Sequence, residues 1–302
     1  MIQFAFINRS FKSKAKIIDT FNIRMLMMHL FKKKKPKLKA FVLSGGANMG
    51  CAQVGMLQAL FEHGIYPDLL IGTSVGALNA AALATNPTIS GISDLTEFWK
   101  NIKTGDVFPG GSFTRAWNLL KRDLYLVENT GLSKVIDRAT RVREIEDLQL
   151  PIRIVTCDLT TGEEIIYSKG PLKEALLASA ALPGVFPPIK HDGRILVDGG
   201  VVNAVPIWHA ISEDVGEIYV LNVSGSSPIK NLRTPLDVIT RSFSISRSQR
   251  FDTELREAKH NIKVFHMPRP IDRRDMYDFS NSEILMEETY KQSFAFLDAH
   301  RL

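Results

Sequence analysis

Between residues 39 and 85 the sequence twice passes from a short apolar run, through a turn, into a helical pattern. Lys39 to Ser44 is typical of a buried strand, and Gly45-Gly46 separates it from the first helix. A second apolar run, Asp68 to Ile71, leads directly into an alanine-rich helix from Ser74 to Thr85. Two consecutive strand, turn and helix units predict parallel strands with helical crossovers, and therefore an α/β fold.

The rest of the chain adds apolar runs of strand length and amphipathic runs of helix length. Strands are predicted near residues 152–157, 164–167, 194–197, 217–223 and 261–266. Helices are predicted at 172–181, 236–255 and 282–300, and residues 90–150 are helical with mixed loops, broken at Gly110-Gly111. Because no repeat or long linker interrupts this pattern, we expect one domain at residues 39–302 behind an extension at residues 1–38.

Composition excludes several classes of protein. The chain has 302 residues, 45% hydrophobic and 23% charged, and its only cysteines are Cys51 and Cys157. Two cysteines in apolar stretches cannot build a disulfide framework or a metal-thiolate cluster, and they indicate buried thiols. Residues 1–40 hold eleven of the 38 basic and one of the 32 acidic residues, which leaves 27 basic and 31 acidic residues elsewhere. The mildly acidic body is not expected to bind nucleic acid.

The basic extension does not have the features of an export signal or a membrane span. Residues 21–31 are mostly apolar, but a stretch of this length is too short to cross a bilayer. Lys32 to Lys35 stand where a secretory signal would have its small-residue cleavage site. We therefore expect a cytoplasmic protein. Two interpretations stay open: residues 11–39 lie on an anionic membrane surface, each lysine contributing roughly 1 kcal/mol, or they form a disordered tail.

A Gly-X-Ser-X-Gly motif occupies residues 72–76, between the second predicted strand and its helix. A nucleophilic serine is presented on such a sharp turn, where Gly72 and Gly76 leave room for the backbone and for close packing of strand against helix. Ser74 would then lie at a helix N-terminus, whose dipole favours developing negative charge. The alternative is a tight strand-to-helix turn without chemistry.

The glycine-rich stretch from Gly45 to Gly50 follows the first strand, at the sheet edge expected for Ser74. Backbone N–H groups exposed on such a turn can bind an oxyanion. A nucleotide phosphate loop is the rival interpretation. It is disfavoured because the stretch lacks the Lys-Ser/Thr ending of a Walker loop and has Ala47 where a dinucleotide loop has its second glycine.

A third motif, Asp198-Gly199-Gly200, follows the strand predicted at 194–197. Only one strand precedes the strand of Ser74, which argues against the α/β-hydrolase order of serine, acid and histidine. Four of the five histidines after Ser74 are candidates for the base, and they lie at ordinary loop, helix or strand positions: His191, His209, His260 and His266. If both motifs are functional, the base that activates Ser74 is a carboxylate.

Together these motifs resemble the patatin-like phospholipase family. The matching stretches are residues 43–57, 71–77, 179–188 with its Phe-Pro-Pro segment, and 197–206, in the order found in that family. The resemblance covers residues 39–210. It implies a three-layer α/β/α fold with a mainly parallel sheet, and a serine esterase that hydrolyses acyl esters of lipids or lysophospholipids without a metal or other cofactor.

The resemblance also implies roles for individual residues. Ser74 would be the nucleophile and Asp198 the general base of a catalytic dyad. The oxyanion hole would be formed by the backbone N–H groups of Gly45, Gly46 and Ala47. Five further glycines would support these motifs: Gly50, Gly72, Gly76, Gly199 and Gly200.

This chain departs from the family pattern at two positions of the oxyanion loop. Met49 replaces a usual Arg or Lys, and Ala47 replaces a usual third glycine. Met49 falls on the apolar face of the helix that follows, which is consistent with simple packing. Two alternatives to hydrolysis stay open: a lipid-binding regulatory protein with weak or no activity, and an acyltransferase that uses the same dyad.

Overall fold

The protein is described by a computed structural model covering residues 38–109, 125–213, 215–224, 235–257, 262–270 and 278–302. The predicted extension, apart from Leu38, lies outside the described residues, as do Gly110-Gly111 and His260. Within the described ranges, no helix combines the length and the apolar character needed to cross a lipid bilayer.

The described strands form one mixed sheet. They are β1 (Leu38–Leu43), β2 (Leu69–Thr73), β3 (Ile152–Asp158), β4 (Glu164–Tyr167), β5 (Ile189–His191), β6 (Arg194–Asp198), β7 (Val215–Leu221) and β8 (Lys263–His266). The order across the sheet is β5-β6-β3-β2-β1-β7-β8, with β4 also paired to β3. Strands β1, β2, β3, β7 and β8 are parallel, whereas β4, β5 and β6 enter through antiparallel pairs.

Helices cover the sheet. They are α1 (Gly50–Glu62), α2 (Val75–Thr85), α3 (Ile89–Asn101), α4 (Thr104–Val107), α5 (Thr130–Ala139), α6 (Leu172–Ser179), α7 (Ile207–Ile211), α8 (Pro235–Glu257) and α9 (Ser282–His300). Short 3-10 turns lie at Ala47–Met49, Ile145–Asp147 and Gly199–Val201.

Alternate residues of β1 face two separate cores. Phe41 and Leu43 belong to the larger core, which includes apolar residues of α1, α2, α3 and α9. Ala40 and Val42 belong to the smaller core, with Ile207 of α7. This alternation is what a strand buried on both faces requires. The predicted α/β fold, with a mostly parallel central sheet flanked by helices, is confirmed.

The topology brings the ends of the parallel strands to one edge. In register, Leu43 at the end of β1 lies beside Gly72 of β2 and Leu221 of β7. The residues that follow β1 and β2 therefore meet at the carboxyl edge of the sheet. Strand β2 runs to Thr73, two residues beyond the predicted run, because Gly72 and Thr73 still pair with β3.

Candidate active site

The side chains of Ser74 and Asp198 meet at the carboxyl edge. The Ser74 hydroxyl donates to Asp198 Oδ2 across 2.6 Å. Ser74 is half-buried and Asp198 is 5% exposed. A hydroxyl in direct contact with a carboxylate oxygen can pass its proton to that oxygen while it attacks an electrophile.

Ser74 sits on a strained turn between β2 and α2. Its backbone φ is 56°, in the left-handed region that a side chain disfavours. Close packing leaves no room for side chains on either side: a Cβ at Gly72 would lie 2.6 Å from Ala77 Cα, and one at Gly76 would collide with the Leu43 carbonyl oxygen. The glycines thus let α2 begin directly against the ends of β1 and β2.

Backbone contacts fix Asp198 at the end of β6. Its Oδ1 accepts a hydrogen bond from the Gly200 N–H across 2.6 Å, which leaves Oδ2 directed at Ser74. The Asp198 N–H donates to the Ala181 carbonyl at 2.9 Å, and the Gly199 carbonyl accepts from the Asn203 N–H at 2.8 Å. The carboxylate is therefore oriented by its own turn before any substrate arrives.

The glycine turn, residues 45–47, lies beside Ser74 and differs in one respect from the predicted oxyanion hole. A Cβ at Gly45 would be 3.4 Å from Ser74 Cβ. However, the Gly45 N–H donates to the Ala204 carbonyl at 3.0 Å, so it already has a protein acceptor, and its place in the oxyanion hole stays a prediction. Among the described residues, the N–H groups of Gly46 and Ala47 have no protein acceptor.

Ala47 and Met49, the two departures from the family pattern, have clear structural settings. Ala47 adopts the left-handed conformation, with φ 50°, that a glycine would occupy without strain. Met49 is 7% exposed and its side chain packs in the larger core.

A buried polar network holds the glycine turn against the nucleophile helix. Gln53 Nε2 donates to the carbonyls of Ser44 and Leu221, at 2.9 and 3.0 Å. Asn79 of α2 donates to the Gly50 carbonyl and to Gln53 Oε1, both at 2.8 Å. Its own oxygen accepts from the Trp99 ring N–H at 2.9 Å. Fully satisfied networks of this kind rigidify their surroundings, because each unpaired buried group would be costly.

Ser179, at the C-terminal end of α6, also contacts the site. Its hydroxyl accepts the backbone N–H of Ser74 at 2.8 Å and donates to the Val155 carbonyl at 2.7 Å. The side chain is fully buried. Ser179 lies in the Phe-Pro-Pro stretch of the sequence resemblance, but nothing in the local pattern distinguishes it from a packing serine.

A charged cluster supports the segment that follows Asp198. Glu164 accepts hydrogen bonds from Asn203 at 3.0 Å, His209 at 2.7 Å and Arg250 at 2.6 Å. Arg250 also donates to the Val202 carbonyl at 2.9 Å. Burial alone would raise the pKa of Glu164, but hydrogen bonds and charge from His209 and Arg250 outweigh it and hold the pKa below its ordinary value.

No described histidine contacts Ser74 or Asp198. His209 binds Glu164, His191 lies near Asp192, and His266 packs against Phe251. Burial and the charge of Arg269 lower the pKa of His266. Among the described residues, Ser74 therefore contacts a carboxylate and no histidine, and the role of Asp198 as the base stays a prediction.

Among the residues that the structure describes, neither the cysteines nor a cluster of acidic side chains forms a second candidate site. Both thiols are buried, and burial raises the pKa of Cys51 to about 12 and also raises that of Cys157. Within the described ranges, no three metal-ligating side chains converge on one point.

Comparison with known proteins identifies related sequences. A family model described as "Patatin-like phospholipase" matches residues 41–211. "Patatin-like phospholipase domain-containing protein 7" of Rattus norvegicus is 36% identical over 169 residues, which are 55% of this chain and 12% of that protein. "Lysophospholipase NTE1" of Mycosarcoma maydis is 26% identical over 282 residues, which are 85% of this chain and 14% of that protein. The chain thus spans only a small part of these relatives.

A solved structure shares the fold. The crystal structure of VipD from Legionella pneumophila superposes with a TM-score of 0.50 at 15% sequence identity. The match covers 88% of this chain and 67% of VipD. At this identity the similarity concerns the arrangement of strands and helices alone.

Proposed function

This chain belongs to the patatin-like phospholipase family, and we propose that residues 39–302 form a catalytic domain that hydrolyses carboxylic esters of lipids. One observation carries the proposal: the Ser74 hydroxyl lies 2.6 Å from Asp198 Oδ2, beside a turn in which the Gly46 and Ala47 N–H groups have no acceptor among the described residues. A nucleophile, a base and oxyanion donors are the parts that acyl transfer to a serine requires.

In the first step Ser74 Oγ attacks the ester carbonyl carbon. Its proton passes to Asp198 Oδ2 as the new C–O bond forms, and the carbonyl oxygen becomes an oxyanion. The N–H groups of Gly46 and Ala47 stabilise that oxyanion, because they have no protein acceptor among the described residues. When the tetrahedral intermediate collapses, the bond to the alcohol breaks, and Asp198 returns the proton to the departing oxygen.

In the second step water releases the acyl group. Asp198 removes a proton from a water molecule, whose oxygen attacks the carbonyl carbon of the acyl-serine. The bond to Ser74 Oγ then breaks, Oγ regains a proton from Asp198, and a fatty acid leaves. The contact between Asp198 Oδ1 and the Gly200 N–H keeps the carboxylate oriented through both steps.

The substrate class is proposed from the relatives. One of them is named a lysophospholipase, and its alignment extends over 85% of this chain. We therefore expect lysophospholipids, phospholipids or neutral lipids as substrates. Met49 packs in the apolar core where the family usually has a basic residue, so recognition of a charged headgroup is assigned to other positions.

Fatty-acid release tests this function. The purified chain is incubated with lysophosphatidylcholine, phosphatidylcholine and triacylglycerol, each with and without a lipid alcohol acceptor. We expect free fatty acid from at least one substrate, and none with Ser74→Ala. Ser93→Ala is the matched control, since Ser93 lies on the exposed side of α3 and its hydroxyl donates to the Ile89 carbonyl within the same helix. Binding without release by the wild type would support a non-catalytic lipid-binding protein, and a new ester with the acceptor would indicate acyl transfer.

A further inference from the structure

One short segment at the end of α6 contacts the backbones of both Ser74 and Asp198. The Ser179 hydroxyl accepts the Ser74 N–H, and the Ala181 carbonyl accepts the Asp198 N–H. We propose that Ser179 is a positioning residue that holds Ser74 at attacking distance from its base. This inference rests on the proposed hydrolase function and adds a residue to it.

The need for such a residue comes from the conformation of Ser74. A non-glycine residue at φ 56° lies outside its preferred conformations and stays there only when its surroundings impose it. The N–H of Ser74 is fixed by the Ser179 hydroxyl, while its carbonyl accepts the N–H groups of Ala77 and Leu78 in α2. Without the Ser179 hydroxyl, the helix would still hold the Ser74 carbonyl, but the Ser74 N–H would lose this hydrogen bond.

The Ser179 hydroxyl is suited to this position because it both accepts and donates. It accepts the Ser74 N–H at 2.8 Å and donates to the Val155 carbonyl at 2.7 Å. The donated hydrogen bond fixes the orientation of the hydroxyl, so that its lone pair faces the Ser74 N–H. Val155 lies beside Thr73, the residue before Ser74, in the pairing of β2 with β3. The hydroxyl therefore ties the strained residue to the strand that separates it from Asp198.

Val155 and its neighbour in β3 also restrict the position of Asp198. Thr156, the next residue, pairs with Asp198, and a Cβ at Gly199 would collide with the Val155 carbonyl oxygen. Since Ala181 binds the Asp198 N–H, the segment from Ser179 to Ala181 fixes the two reacting residues relative to one another. Small misplacements of reacting groups cost up to about a hundredfold in rate, so loss of this restraint is expected to slow the reaction.

Two variants separate hydrogen bonding from packing. Ser179→Ala removes the hydroxyl, and Ser179→Cys still fills the space, with a slightly larger thiol that is a weak donor and acceptor. Thr289→Val is the matched control: Thr289 is fully buried on α9, and its hydroxyl contacts the Ala52 carbonyl of α1 at 2.9 Å. Thermal unfolding of each variant establishes that labelling is measured on folded protein, and Ser179→Cys carries the comparison if Ser179→Ala does not fold.

The measurements are the second-order rate of labelling by a fluorophosphonate probe and the amide hydrogen exchange of the peptide containing Ser74. We expect both Ser179 variants to label at least about tenfold more slowly than the wild type and to exchange faster around Ser74. Thr289→Val should label at the wild-type rate. Wild-type labelling of Ser179→Cys would overturn the proposal, because volume alone would then suffice.

The exchange measurement keeps this inference distinct from the proposed function. If the wild type does not react with the probe, the hydrolase function fails. In that case amide hydrogen exchange alone tests whether Ser179 restrains Ser74. Unchanged protection around Ser74 in Ser179→Ala overturns the proposal, and a local loss of protection supports it.

Discussion

Ser74 and Asp198 are in hydrogen-bond contact although they lie 124 residues apart, at the ends of two strands that do not pair. Strand β3 lies between β2 and β6, so the two backbones are separated by about 10 Å, twice the usual strand spacing. The contact is possible because the two strands end at the same level along β3, where Thr73 pairs with Val155 and Asp198 pairs with Thr156. The carboxyl ends of the parallel strands are the usual place for a binding or catalytic site in α/β proteins.

Asp198→Asn should remove most of the activity and leave the fold intact. The amide oxygen can still accept the Gly200 N–H, but an amide does not take the Ser74 proton. A general base contributes roughly 10²–10⁴-fold, so we expect a fall in kcat of about a thousandfold. Asp192→Asn, at an exposed hairpin turn, is the control. Retention of a tenth of the wild-type rate by Asp198→Asn would mean that Asp198 is not the base.

Ala47→Gly should stabilise the protein. Ala47 has φ 50°, and removing its Cβ relieves about 1–2 kcal/mol of strain, less the extra entropy of an unfolded glycine. We expect a gain of about 0.5–1 kcal/mol in the free energy of unfolding by urea. Ala82→Gly, in the interior of α2, should lose about 1 kcal/mol. Equal losses in the two variants would contradict the assignment of strain to Ala47.

Met49→Arg should destabilise the fold rather than restore a useful charge. The side chain is 7% exposed in the larger core, where an unpaired cation has no compensating partner. We expect a loss of about 3 kcal/mol or more in thermal or urea unfolding. Met49→Leu, which roughly conserves volume, should cost less than about 1.5 kcal/mol. A stable and more active Met49→Arg variant would show that the position can hold the basic residue of the family.

Glu164→Gln should weaken the fold in a pH-dependent way. Because the folded-state pKa of Glu164 is lowered, its carboxylate stabilises the fold above its ordinary pKa of 4.5 and loses that effect as pH falls below it. We expect a loss of about 2 kcal/mol near neutral pH, the scale of hydrogen bonds to charged partners. The difference from wild type should shrink as pH falls through the range below 4.5.

Glu287→Gln provides the contrast for that experiment. Glu287 pairs with Lys291 on the exposed surface of α9, and this partner lowers its pKa as well. Exposed pairs contribute little, so the variant should unfold almost like the wild type at every pH. A Glu164→Gln curve that stays parallel to the wild type down to low pH would show that the cluster acts by packing alone.

Sequence patterns predicted many of the helices and strands, because these elements depend mainly on residues that are close together in the chain. Helix α9 begins at Ser282 and ends at His300 as predicted, and the strand before the glycine turn was recognised from its apolar run. The glycines of the motif at residues 72–76 predicted a tight turn, and the close packing of strand against helix explains why these positions are glycines. The order β5-β6-β3-β2-β1-β7-β8 had no local signal, since it depends on which strands pair across long separations.

The parts of the site that sequence did not reveal depend on distant partners. The Gly45 N–H is used by Ala204, which follows Asp198 in the chain, so a glycine pattern alone cannot tell which amides are available. Ser179 acquires its contact to Ser74 only when α6 is placed against β3. Glu164 of β4 forms hydrogen bonds with His209 of α7 and Arg250 of α8, so this cluster depends on three separate elements.

Mass spectrometry after labelling with a fluorophosphonate probe tests the central claim most directly. Such probes react with serines that a neighbouring base activates. We predict one adduct on the wild-type chain, located at Ser74, no adduct on Ser74→Ala, and unchanged labelling of Ser93→Ala. A wild-type chain without an adduct, or an adduct that persists in Ser74→Ala, would contradict the assignment of Ser74 and Asp198 as nucleophile and base.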